Sequence, residues 1–152
     1  MTGESNSNAP DPICTDEAYP RYPEGEWEVI CIKTAIYPDP RFRARAKDLV
    51  VRATWKCRLD CIRVSDQVPI SGFFNMGNGQ RPAAGRGSRY WKTWVMATGA
   101  QPRKRQTMSR REFVGKVFRV KIGDTSRDFE GREQPDGAVY STIKEFLART
   151  GP

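Results

Sequence analysis

The chain has 152 residues, with 26 Lys and Arg against 18 Asp and Glu, no histidine and a net charge of +8. A domain of this length withdraws about 68–70% of its unfolded surface from water, so one core is expected, and the basic balance favours a polyanionic partner. The missing imidazole excludes His-based acid/base catalysis, Ser/His and Cys/His nucleophile pairs and His-ligated metal centres. No apolar run approaches the roughly 18 residues of a membrane helix, and the opening MTGESNSNAPDP lacks a basic-then-apolar leader, so a soluble, cytoplasmic protein is expected.

Residues 1–24 are rich in Ser, Asn, Asp, Glu and Pro without an apolar period, which predicts a flexible arm ahead of a folded domain over 25–150. Residues 1–28 hold seven acids against the single Arg21, a charge of −6 that leaves +14 on the rest. Such an arm is expected to lie in a basic groove as an internal mimic of phosphate, or to act only as a solubilising tail. Trp27–Tyr37 (WEVICIKTAIY) is dense in β-branched and aromatic residues and predicts a strand, ended by a turn at Pro38-Asp-Pro40. Arg41–Lys47 then alternates basic and apolar residues, the pattern of a cationic edge.

Leu49–Cys61 carries the clearest alternation, with Leu49, Val51, Ala53, Trp55, Cys57, Leu59 and Cys61 on one side and Arg52, Lys56 and Arg58 on the other. Cys57 and Cys61 share the apolar side and lack the CxxC spacing of a zinc knuckle, so they are read as small core thiols, with a four-thiolate zinc site and disulfides from the four cysteines as the alternatives. A third strand is expected over Val68–Phe74, followed by a glycine-rich loop at 75–87 that lacks the order of a nucleotide P-loop. Ser88 as N-cap and Gly99 as stop bound a helix whose apolar face is expected to carry Tyr90, Trp91, Trp94 and Val95. Both tryptophans are therefore read as core. After the polar basic stretch Gln101–Arg111, Phe113–Ile122 reads as a strand with Arg119 and Lys121 outward, then an acidic loop over 123–137. Ser141–Arg149 predicts a terminal helix, with Thr142 and Glu145 at capping-box spacing.

Strands first, one central helix and then a strand give a mainly β (α+β) class, in the order of an OB-like five-stranded barrel with one central helix and a C-terminal helix. The portion from Phe73-Phe-Asn-Met through Tyr90-Trp-Lys-Thr-Trp, Ala97-Thr-Gly99, Pro102 and Phe113-Val-Gly-Lys to Tyr140-Ser-Thr-Ile resembles the single-stranded-DNA-binding-like OB-fold proteins of bacteriophages and integrated mobile elements. The resemblance implies non-enzymatic binding of single-stranded DNA in replication or recombination, with replication or recombination proteins as further partners. The chain departs from such binders in ending Ala148-Arg-Thr-Gly-Pro152, without an acidic tail.

A single strand of DNA or RNA is held by cations that follow phosphates and by faces that stack on bases. The cationic candidates are Arg41, Arg43 and Arg45 on the edge; Arg52, Lys56, Arg58, Arg119 and Lys121 on strands; and Arg81, Arg86, Arg89, Arg103, Lys104 and Arg105 beside the helix. Tyr37, Phe42, Phe73 and Phe74 are the stacking candidates. No cofactor or metal is expected. Two other readings stay open: an inhibitor or adaptor whose basic face meets an acidic protein, and a metal nuclease built on Asp124, Asp128 and Glu130 with Lys121.

Overall fold

The computed structural model describes residues 22–124 and 141–152. Five strands, β1 (Gly25–Arg45), β2 (Val51–Arg63), β3 (Pro69–Asn75), β4 (Val117–Asp124) and β5 (Ser141–Gly151), surround a core capped by one helix, α1 (Arg89–Thr98), and a 3-10 turn at Arg110–Phe113. Residues 1–21, with Cys14 and most of the acidic arm, lie outside the described residues, as do Asp128, Glu130 and the rest of 125–140. Among the described residues no helix is long and apolar enough to cross a membrane.

The core follows from period-2 alternation. Val29 and Cys31 of β1, Cys57, Leu59 and Cys61 of β2, Ile70 and Phe74 of β3, and Phe118, Val120 and Ile122 of β4 are all buried. Cys31 and Cys61 stand directly opposite each other, and both thiols, like Cys57, are free and buried. One feature of β1 departs from the sequence reading. The strand runs through Pro38 and Pro40 instead of turning there, because Pro40 falls in a bulge between Asp39 and Arg43, where the ladder with β2 is already interrupted. Inside that bulge the Asp39 carboxylate accepts from the Arg41 amide at 3.1 Å and from its Nε at 3.0 Å.

Helix α1 has the expected ends. Ser88 Oγ accepts from the Trp91 amide at 3.2 Å, and Gly99 at φ 79° donates its amide to the Val95 carbonyl. The buried face carries Tyr90, Thr93, Trp94 and Ala97. Tyr90 meets Phe74 edge-on at 5.7 Å and donates its hydroxyl to the Met108 carbonyl at 2.6 Å, while Trp94 Nε1 donates to the Ser109 carbonyl at 3.1 Å. Trp91 lies half-exposed on the other side, and Val95 packs at the edge of the core. The expectation that all four apolar residues share one face is thus corrected: the sheet takes up one side of the helix and leaves Trp91 off it.

The expected OB-like barrel with a C-terminal helix is also corrected, at its C-terminal element. The last element is a strand, β5, antiparallel to β4. Its register shifts three times, leaving Lys144, Leu147 and Thr150 without partners, and these extra residues stretch the alternation to a spacing of three. Ile143 and Phe146 are therefore buried three residues apart with Lys144 and Glu145 exposed between them, a pattern that imitates a helix turn. Thr142 caps nothing; its hydroxyl donates to the Ser71 carbonyl of β3 at 2.8 Å. The strands follow the ring order β1-β2-β3-β5-β4, with β4 returning to β1. At the last seam β3 meets β5 through one parallel pair, Gly72 and Ile143, instead of a continuous ladder.

Candidate nucleic-acid interface

On the outer side of β1, β2 and β3 the register sets short cross-sheet rows. Phe73 of β3 lies opposite Arg58 of β2, which lies opposite Ala35 of β1; next to it, Asn75 lies opposite Lys56, and Lys56 opposite Tyr37. Directly opposed residues share a face, so Tyr37, Phe73, Lys56 and Arg58 are displayed together. Arg52 continues the row toward the distal hairpin, opposite Ala44. Phe42 joins them, since Lys56 Nζ lies 4.0 Å from its ring centroid and the Arg41 guanidinium 5.5 Å. The Arg58 guanidinium sits 5.9 Å from the Tyr37 ring. Tyr37, Phe42 and Phe73 are half-buried, the state of a side chain that packs its body and keeps an accessible surface.

The cations here are braced by acids. Arg41 is bidentate with Asp39, Arg52 with Asp48 and Arg58 sits 3.1 Å from Asp60. The hydrogen bond from Arg41 is the main cause that holds Asp39 below the usual carboxylate range, and Arg52 does the same for Asp48. Lys56 instead donates to Asn75 Oδ1; partial burial lowers its pKa, and Asp39 opposes that shift. These contacts fix the direction of long side chains, so less rotamer entropy remains to be lost on engaging a phosphate.

The other candidates divide. Phe74 is 1% exposed in the core, so it is not a stacking residue; its neighbour Phe73 takes the outer phase. Arg43 and Arg45 project from the opposite side of the hairpin, with Ala53 and Val51, and Arg45 Nη1 donates to the Leu49 carbonyl at 2.8 Å. Arg119 and Lys121 lie on β4 against acids: Arg119 opposite Glu28 and 3.4 Å from Glu26, Lys121 opposite Glu26 and Glu145. Their outer row is a charge-matched ladder. Arg89 Nη2 donates to the Lys144 carbonyl at 2.6 Å and ties α1 to β5. Arg81 and Arg86 lie on the loop before α1, and Arg103, Lys104 and Arg105 on the loop after it, all exposed and without an ion pair among the described residues.

Two residues outside the candidate set belong beside them. Trp91 lies over the loop after α1, its Nε1 donating to Gln101 Oε1 at 3.1 Å, with the Arg86 guanidinium 5.8 Å from its ring. Lys92 follows it on the same exposed surface. Its neighbour at i+3, Trp94, is 4% exposed, so spacing alone did not tell which indole faces the sheet. Among the described residues no group of three or more Cys, Asp and Glu is placed to hold a metal ion. Asp124, the described member of the proposed nuclease triad, ends β4 and accepts from Ser141 Oγ at 3.2 Å.

No family model, curated protein or solved structure matches the chain, so the resemblance to single-stranded-DNA-binding-like OB-fold proteins of bacteriophages and integrated mobile elements finds no support.

Proposed function

We propose that the chain binds single-stranded nucleic acid, with little sequence preference, across the outer face of β1, β2 and β3. One observation carries the reading: Tyr37, Phe42 and Phe73 lie on the same sheet face as Arg52, Lys56 and Arg58, with a cation within 6 Å of the first two rings. Along β2, phosphates of an extended strand meet Lys56 directly and meet Arg52 and Arg58 in competition with Asp48 and Asp60. Bases find ring edges and guanidinium planes on either side, a mode that tolerates any sequence because every base has a π face.

The test is fluorescence anisotropy of labelled single-stranded and duplex oligonucleotides over a salt series. Neutralising about four phosphates gives a log–log salt slope of roughly −3 for the single strand. Lys56→Ser and Phe73→Leu weaken single-strand binding, while Arg119→Ser, on the charge-matched row of β4, changes it little. Equal affinity of all three variants and the parent chain refutes the sheet face as the site. A preference for duplex refutes the single-strand reading.

A further inference from the structure

Over residues 81–111 the chain holds nine Lys and Arg and no Asp or Glu. In the fold this acid-free stretch does not spread evenly into solvent. It closes around an open cleft of about 430 Å³ between the outer side of α1 and the loops flanking it, lined by Arg86, Trp91, Lys92, Val95, Gln101 and Pro102. Its lining combines apolar surface, from Val95, Pro102 and the half-buried indole of Trp91, with the exposed cations Arg86 and Lys92. Neither cation has an ion-pair partner among the described residues. That sets them apart from Arg41, Arg52 and Arg58, whose charge is matched by carboxylates.

The indole is held in place. Its Nε1 donates to Gln101 Oε1, which leaves the Gln101 amide NH₂ as a donor at the cleft. An aromatic face, two unpaired cations and one amide donor, within a volume in the usual range for small-ligand sites, match a planar aromatic group that carries an anion. We propose that this cleft binds a nucleoside phosphate: the base packs against Trp91 over Val95 and Pro102, Gln101 donates to the base edge, and Arg86 and Lys92 take the phosphate. The unit can be a free nucleotide or one residue of a strand. The site lies on α1 and its loops, separate from the outer face of β1, β2 and β3, and the free-nucleotide case does not rest on the strand-binding reading.

The probe is AMP, read by quenching of tryptophan fluorescence in the full chain, with adenosine, inorganic phosphate and a dT10 oligonucleotide as parallel arms. AMP is expected to quench with half-saturation at about 1 mM or below. Adenosine should need about tenfold more, because the charge-assisted contacts to phosphate are lost, and inorganic phosphate should not quench. Arg86→Ser with Lys92→Ser should weaken AMP about tenfold. Trp91→Phe keeps an aromatic ring and should retain AMP binding by calorimetry while losing the quench; Trp91→Ser should lose both. If dT10 also loses affinity in Trp91→Ser, the cleft takes a residue of a strand; if dT10 is unaffected and AMP is lost, it takes the free nucleotide. Lys56→Ser on the sheet face should leave the AMP response intact, so failure of the strand-binding reading and failure of this site are told apart. No AMP response up to about 10 mM, an unchanged response in the Arg86/Lys92 variant, or phosphate competing with AMP as well as AMP itself would each overturn the proposal.

Discussion

Gly72 sits at the parallel pair where β3 meets β5, and its backbone is not in the left-handed region, so an alanine there tests space alone. A Cβ at Gly72 would lie 3.0 Å from Phe146 Cε1, 3.2 Å from Phe146 Cζ and 3.2 Å from Ile143 Cβ. All three contacts fall inside the 3.5–4.0 Å at which carbon atoms attract best. Neither neighbour has free room, since Phe146 is 7% and Ile143 3% exposed. Overpacking of this kind costs about 1–3 kcal/mol, and the lower entropy of an unfolded chain with alanine returns about 0.4–1 kcal/mol. Gly72→Ala is therefore expected to lose about 1–2 kcal/mol of stability, a fall in Tm of about 2–8 °C for a chain of this length. Equilibrium urea denaturation measures it. A second background sharpens the test: Phe146→Leu removes the ring atoms nearest the new methyl, so the penalty of Gly72→Ala should shrink by more than about 0.5 kcal/mol when the two are combined. Gly72→Ala at or above the parent stability, or the same penalty in both backgrounds, would refute the argument that this seam closes by tight packing of a glycine against Phe146.

Trp94→Ala should cost about 3–5 kcal/mol, because a buried indole and its bond to the Ser109 carbonyl are lost together, whereas replacing the exposed Arg103, Lys104 and Arg105 by Ser should stay within about ±0.5 kcal/mol each; denaturation curves compare them. Burial pushes the Cys57 thiol up to about 12 from an ordinary value of 9.0, and the hydrogen bond with Cys31 together with burial raises Cys61 as well. The folded state then keeps both thiols protonated while the unfolded chain ionises them, so the thiols' contribution to stability is level below about pH 9 and falls above it by up to about 1.4 kcal/mol per pH unit for each thiol. Urea midpoints at rising pH check this, and Cys57→Ala should flatten the slope; a midpoint that rises above pH 9 would contradict it.

The parts of the fold legible in the sequence are those set by near neighbours. Ser88 and Gly99 bound α1 because caps act within four residues, and the alternation of β2 survives because Cys57, Leu59 and Cys61 face one core without a bulge. What failed is set at long range. The three extra residues of β5 matter only against the partner strand β4, and read alone they look like helical spacing. Arg119 and Lys121 read as free cations because Glu26 and Glu28, which oppose them across the sheet, lie more than 90 residues away in sequence. In the candidate site, one error was avoidable: Ile70, Gly72 and Phe74 form a continuous inward phase, which leaves Phe73 and not Phe74 outside. The choice between Trp91 and Trp94 was not readable, because each continues a helical stripe and only the position of the sheet selects one.

The pairing of β4 with the acidic start of β1 also shapes how a partner arrives. Glu26 and Glu28 cancel Arg119 and Lys121 on one side of the ring, while among the described residues no carboxylate forms an ion pair with the cations around α1. The described residues consequently carry not a uniform positive charge but a lopsided one, and a lopsided field exerts torque as well as pull. A polyanion diffusing toward it is turned before contact, with the neutral side of β4 facing away. Such steering acts on the rate of association more than on its endpoint. It fades once added salt shortens the reach of the field to about 8–10 Å, so the association rate constant should fall with salt more steeply than the dissociation rate constant rises.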